Sequence, residues 1–244
     1  MYSAPPALTI QGLPIHLLTD YAHWLQGRVA TGQGTQVVTL NAEMVMQAAQ
    51  NPALKTAIQQ AELVVPDGVG VTLYLKLRRQ GTYHAPGIDL VAEVLSQLRG
   101  ATVFFLGGAP GVGAQAAQYW QKRNPDLVIT GIYHGYFTTE EETKIVAQLE
   151  LQQPRLILVA LGVPRQELWI YRHRHLCPQS VWVGVGGSFD IWAGVKVRAP
   201  VWMRRLYLEW AFRLYQEPWR WRRMLALPQF AGRVLLPALW GGGG

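Results

Sequence analysis

Six short runs of almost unbroken apolar residues punctuate the chain: Gln36–Leu40, Leu63–Val65, Thr102–Leu106, Leu127–Ile132, Leu156–Leu161 and Val181–Gly186. Their lack of polar alternation is what strands covered on both faces require. Between them lie segments with helical spacing of apolar positions, such as Asn41–Gln60, Asp89–Arg99, Gly113–Arg123 and Glu140–Leu151. Strand–helix alternation at this interval predicts βαβ units, and hence a Rossmann-like, mostly parallel α/β sheet with helices on both faces.

In such sheets ligands bind beyond the carboxyl ends of the strands. The unusual residues of this chain fall at those ends. Thr39 and Asn41 close the first run, and Asp67 follows the second between Pro66 and Gly68. Gly107 and Gly108 follow the third, His134–Phe137 the fourth, Gly162–Glu167 the fifth and Gly186–Asp190 the sixth. Proline-aspartate-glycine is ordinary turn chemistry. Six polar or glycine-rich loops converging on one edge predict more, a site with Asp67 aimed into it.

Each loop suggests its own chemistry. Gly107 and Gly108, between a strand and a helix, would let backbone amides approach a phosphate that the helix N-terminus also attracts. The spacing is not a full dinucleotide fingerprint, so the diphosphate of a nucleotide-linked donor suits the loop better than a nicotinamide cofactor. Gln166, at the start of a helix opened by Pro164, offers a neutral amide to a sugar hydroxyl or a uracil edge. Neither Arg172–His175 nor any paired aspartates form a metal-binding pattern. No metal and no cofactor are expected.

Composition adds a compartment and an asymmetry. Half of the 244 residues are hydrophobic and the lone cysteine is Cys177, which excludes an internal disulfide and fits a reducing cytoplasm. The start of the chain lacks the basic and apolar regions of a signal peptide, and no apolar run reaches the length of a membrane span. The net charge of +7 is unevenly placed. Residues 196–244 hold nine basic residues against Glu209 and Glu217, leaving residues 1–195 with thirteen of each sign. The chain therefore reads as a neutral body, 1–195, and a basic helical appendage, 196–244. In the appendage Arg205, Glu209, Arg213, Gln216, Arg220 and Arg223 recur at helical steps, while Trp202, Leu206, Trp210 and Leu214 occupy another face. That pattern suits the surface of an anionic membrane. A surface packed on the body and a nucleic-acid contact are the competing uses of such a patch.

Taken in order, Thr39-x-Asn41, Pro66–Gly70, Pro86–Leu90, Phe104–Gly113, His134–Phe137, Leu161–Ile170 and Gly184–Trp210 resemble the WecG/TagA/CpsF family of glycosyltransferases, from about residue 8 to about 227. The resemblance implies an inverting transfer of an N-acetylmannosamine-type sugar from a UDP donor. The implied acceptor is N-acetylglucosamine on a polyprenyl diphosphate, and the place is the cytoplasmic membrane face, in cell-surface polysaccharide synthesis. It implies Asp67 as catalytic base, Thr39, Asn41 and Gln166 as pocket residues, and Arg213, Arg220 and Arg223 as arginines that close over the site. The family commonly carries an arginine just ahead of Gly87–Leu90; here His84 stands in its place as a substrate-binding residue, expected to hold a phosphate or acidic sugar more weakly and only as a cation at lower pH. The implied partners are the UDP-sugar, the lipid-diphosphate acceptor and the anionic membrane, with no nucleic acid; self-association is left open. A nucleotide-sugar-binding protein without catalysis, or a nucleic-acid-binding module, are the alternative readings.

Overall fold

The computed structural model describes residues 5–80 and 85–239. Among the described residues eight strands form two sheets. A hairpin of β1 (Ala7–Ile10) and β2 (Leu13–His16), joined by a Gln11–Gly12 turn, is antiparallel. The main sheet contains β3 (Thr35–Leu40), β4 (Leu63–Pro66), β5 (Thr102–Gly107), β6 (Val128–Tyr133), β7 (Leu156–Ala160) and β8 (Val181–Gly184). Its order is β4-β3-β8-β7-β5-β6, and every neighbouring pair is parallel. The six expected strands are all present, within a residue or two of their expected ends. The hairpin was not foreseen.

Burial explains the unbroken apolar runs. Val37, Val65, Phe105, Leu158 and Val183 point to one face of the sheet, against helices Tyr21–Thr31, Gly87–Gln97, Val112–Arg123 and Ser188–Trp192. Their chain neighbours, including Val38, Val64, Phe104 and Val159, point to the other. Only β6, at the edge, leaves Val128 and Ile132 exposed.

Two expected helices are interrupted. The segment 41–60 is two helices, Ala42–Ala48 and Pro52–Gln59, each capped by an asparagine side chain (Asn41 and Asn51), because Pro52 lacks the N–H that would continue the first. In the basic tail Pro218, which cannot continue a helix, does begin a new element, but the stretch ahead of it is also not one helix. Val201–Arg205 ends in a Schellman turn, with Leu208 N–H on the Met203 carbonyl (2.8 Å) and Tyr207 N–H on that of Arg204 (3.1 Å). Tyr207 takes the left-handed conformation at φ 59° that such a turn needs. A new helix, Glu209–Gln216, then begins.

The end of the tail is part of the core. Helix Ala226–Phe230 lies on Ala42–Ala48, and Phe230 and Val234 are buried with Leu40, Met44, Val71 and Leu75. Gly70 makes the seat. A Cβ there would stand 2.9 Å from that of Ala42 and 3.3 Å from the Phe230 ring. The packing of the body therefore does not end at residue 195. Phe230→Ala should cost about 3–5 kcal/mol in denaturant unfolding, the usual range for emptying such a site. A cost below about 1 kcal/mol would mean that the tail is not held there.

Candidate active site

A cavity of about 720 Å³ opens over the carboxyl ends of β4, β3, β8 and β7. Thr39, Asn41, Asp67, Gly87, Gln166 and Gly186 line its floor and walls, and Arg204, Arg213, Arg220 and Arg223 from the tail line its roof. Four of the six strand ends thus contribute. The ends of β5 and β6 do not, because the sheet order places them on the far side of β7.

That geometry corrects the expectation for Gly107 and Gly108. The Gly108 amide donates to the Ala160 carbonyl at 3.0 Å and so is not free for a phosphate. Gly107, at φ 130°, lets the end of β5 pass β7, where a Cβ would stand 2.3 Å from the Ala160 oxygen. Both glycines serve strand packing, and neither lines the cavity. His84 lies outside the described residues.

Asp67 is placed by the register of two strands. Its N–H continues the β3–β4 ladder onto the Leu40 carbonyl (2.9 Å), after which Gly68 starts the helix to Leu77. Its carboxyl does not cap that helix. Instead it keeps some accessible surface on the cavity while protein closes around it, and burial raises its pKa to about 6. The nearby Arg213 and the amides of Gly68 and Gly87 hold it down; Glu209 pushes it up. Such a carboxyl is ionised at neutral pH yet basic enough to take a proton.

The other floor residues have partly structural duties. Asn41 accepts from the Met44 N–H at 3.0 Å as the cap of its helix, which leaves its side-chain N–H groups to the cavity. Gln166 is buried and accepts from the amides of Gly162 (3.2 Å) and Gly186 (3.1 Å), joining the loops after β7 and β8.

The roof is a set of arginines, most of them held by carboxylates. Arg213 meets Glu209 at 2.6 Å, Arg220 meets Glu217 at 2.5 Å, and Arg223 grips Glu43 of the body through two bonds of 2.7 and 3.1 Å. Arg198 pairs with Asp89, and Lys196 bridges Asp190 (2.7 Å) and Glu217 (3.1 Å). Burial lowers the Arg220 pKa, Glu217 opposes this, and Arg223 and Arg213 add to it by repulsion. This is a crowded cationic surface. Among the described residues Arg204 and Arg205 also line the cavity with no ion-pair partner, and the Arg204 Nε is buried without a hydrogen bond. Arg204 carried no signal in sequence beyond membership of a basic run. Nor did Arg198, whose partner Asp89 lies 109 residues away in the chain.

A parallel α/β sheet that sets a carboxyl of raised pKa at its carboxyl edge, under a roof of arginines, makes a cationic cavity of the kind that fits an anionic substrate. The chain belongs to the glycosyl transferase WecG/TagA/CpsF family, whose profile matches residues 8–242. It is 36% identical over 223 residues (90% of this chain, 83% of the relative) to an N-acetylglucosaminyldiphosphoundecaprenol N-acetyl-β-D-mannosaminyltransferase of Bacillus spizizenii. Proteins of the same name from Bacillus subtilis and Staphylococcus aureus are 34% and 37% identical, over 89% and 81% of this chain and 86% and 78% of their own length.

The raised pKa has a consequence for stability. An Asp whose folded pKa lies above its unfolded value favours the fold when protonated. Its contribution is present below about pH 4 and is lost as pH rises through about 6, so at neutral pH the ionised carboxylate works against the fold. Asp67→Asn should therefore be more stable than the wild type at pH 8 by about 1–3 kcal/mol, and equal to it near pH 4. Equal stabilities at both pH values in denaturant titrations would refute the burial of this charge.

Proposed function

We propose that this protein transfers an N-acetylmannosamine-type sugar, with inversion, from a UDP donor to N-acetylglucosamine carried on undecaprenyl diphosphate. The observation that carries the reading is Asp67, poised at about 6 on the floor of a cavity whose roof is arginine. The acceptor's named chemistry in three relatives, each over most of the chain, supports the rest.

The reaction uses the two surfaces in turn. An acceptor hydroxyl attacks the anomeric carbon from the face opposite UDP while Asp67 takes its proton. The C–O bond to the diphosphate breaks, and the negative charge that develops on UDP falls under Arg213, Arg220 and Arg223. Arg204, lacking a carboxylate partner among the described residues, is available to the same charge. These cations can do the work of a divalent ion, and no group of three His, Cys, Asp or Glu side chains among the described residues is placed to hold one. Transfer is therefore proposed to be metal-independent.

The reading places the protein at a membrane, which the lipid-linked acceptor of the relatives supports, and on its cytoplasmic side, where a UDP donor would be met. No helix among the described residues is long and apolar enough to cross one. The tail instead exposes Trp202, Leu206, Tyr215, Trp219 and Trp221 beside its arginines, a surface suited to anionic headgroups.

Incubating the protein with a panel of UDP-sugars and a short-chain lipid-diphosphate acceptor, with products identified by mass and linkage, tests the reading. Asp67→Asn should slow turnover by about 10²–10⁴-fold while UDP still binds. EDTA should change the rate by less than about twofold, where a catalytic metal would contribute several kcal/mol. Absence of transfer from any N-acetylhexosamine donor would contradict the assignment.

A separate measurement addresses the tail. Trp219→Ala with Trp221→Ala should weaken sedimentation with phosphatidylglycerol vesicles by about tenfold or more, while leaving transfer to a water-soluble acceptor analogue within about twofold. Unchanged vesicle binding would remove these tryptophans from the membrane contact.

A further inference from the structure

Glu167 carries a carboxyl group buried without full hydrogen bonding. It is 2% exposed, and its Oε2 has no hydrogen-bond partner. A buried polar atom left without a partner costs stability, so its retention calls for a reason. Its other oxygen, Oε1, accepts from Gln166 Nε2 at 2.7 Å, in a space so tight that a Cβ on Gly184 would stand 2.6 Å from that nitrogen.

The bond settles what Gln166 can offer a ligand. A side-chain amide has two acceptor sites on oxygen and two N–H donors. The Gly162 and Gly186 amides occupy both acceptor sites, and Glu167 takes one donor. One N–H remains, on a residue that lines the cavity. An amide turned over by 180° would set its NH₂ against two backbone N–H groups.

We propose that Glu167 is a positioning residue: it locks the Gln166 amide so that the cavity presents a single N–H, which recognises a carbonyl oxygen of the donor. The proposal rests on the UDP-sugar reading above. The carbonyls of such a donor lie in two places, on the nucleobase and on the N-acetyl group of the sugar. Burial raises the Glu167 pKa to about 7, the Gln166 bond opposes the rise, and Glu43 adds to it. What Gln166 needs, however, is the Oε1 acceptor, which either protonation state provides.

Three variants separate this role from plain packing. Glu167→Leu keeps the bulk but removes the acceptor, and Glu167→Asp keeps the carboxyl but draws it back by one methylene. Both should raise the donor KM about tenfold or more, the scale of a lost oriented hydrogen bond, with kcat changed less than about threefold. Glu167→Gln retains an oxygen in place and should restore a KM within about threefold of wild type. The Leu variant exchanges an unpaired buried oxygen for an orphaned Gln166 N–H, so its melting temperature should shift little. A residue that only packs would move the melting temperature and leave KM alone.

Titrations with UDP and with an N-acetylated UDP-sugar locate the carbonyl. Affinity lost equally for both puts it on the nucleobase, and affinity lost only for the sugar nucleotide puts it on the N-acetyl group. A donor KM and UDP affinity unchanged in both Leu and Asp variants would overturn the proposal, as would a Gln variant as impaired as Leu. Exchange of the Gln166 side-chain amide protons, followed by NMR on the ligand-free protein, tests the lock even if no donor binds. Exchange should be slow in wild type and the Gln variant and fast in Leu and Asp. Equal rates in all four would contradict it, whereas failure of wild type alone to bind any UDP-sugar strikes the proposed function instead.

Discussion

The burial of Phe230 holds the site together. The ring enters the core beside Gly70 and Ala42, at the start of the two helices that follow β3 and β4. Those helices begin next to Asn41 and Asp67, so one apolar contact fixes the end of the tail against the elements that carry the floor of the cavity. With the tail anchored there at one end and by Lys196–Asp190 and Arg198–Asp89 at the other, the chain between must cross the cavity. The arginine roof follows from those two attachments.

Electrostatics then divide the labour. A buried carboxylate facing several cations would ordinarily be held well below its usual range, too weak a base to help a hydroxyl. Here most of the roof arginines already face Glu209, Glu217 or Glu43, which blunts their pull on Asp67 and leaves burial dominant. The same pairing eases the mutual repulsion of the roof arginines in the absence of substrate without removing it. A diphosphate can compete with those carboxylates for the guanidinium groups, because the pairs sit at the cavity and the arginines carry donors to spare.

Much of this was legible in the chain. Continuous apolar runs gave the six parallel strands because helices do cover both faces. The residues after them, Thr39, Asn41, Asp67 and Gln166, do meet in one cavity, and Arg213, Arg220 and Arg223 do face it. Strand order was not legible. Nothing local says that β5 lies beyond β7, so Gly107 and Gly108 looked like a phosphate loop when they are a packing solution. Helical spacing in the tail misled for a related reason. The period of arginines and tryptophans continues through Tyr207, yet the backbone turns there, at a residue type that seldom adopts a left-handed conformation. Glu167 was hidden because a glutamate in the first turn of a helix already has a sufficient explanation in the helix dipole.

The central claim is that Asp67 works as a base whose strength comes from burial. The pH dependence of kcat/KM for sugar transfer, measured with a saturating acceptor, reads that property directly. The account predicts a rate that falls tenfold per pH unit below a midpoint near 6, with the residual activity of Asp67→Asn lacking that limb. A wild-type profile that stays flat down to pH 4.5, or the same limb persisting in the Asn variant, would contradict it.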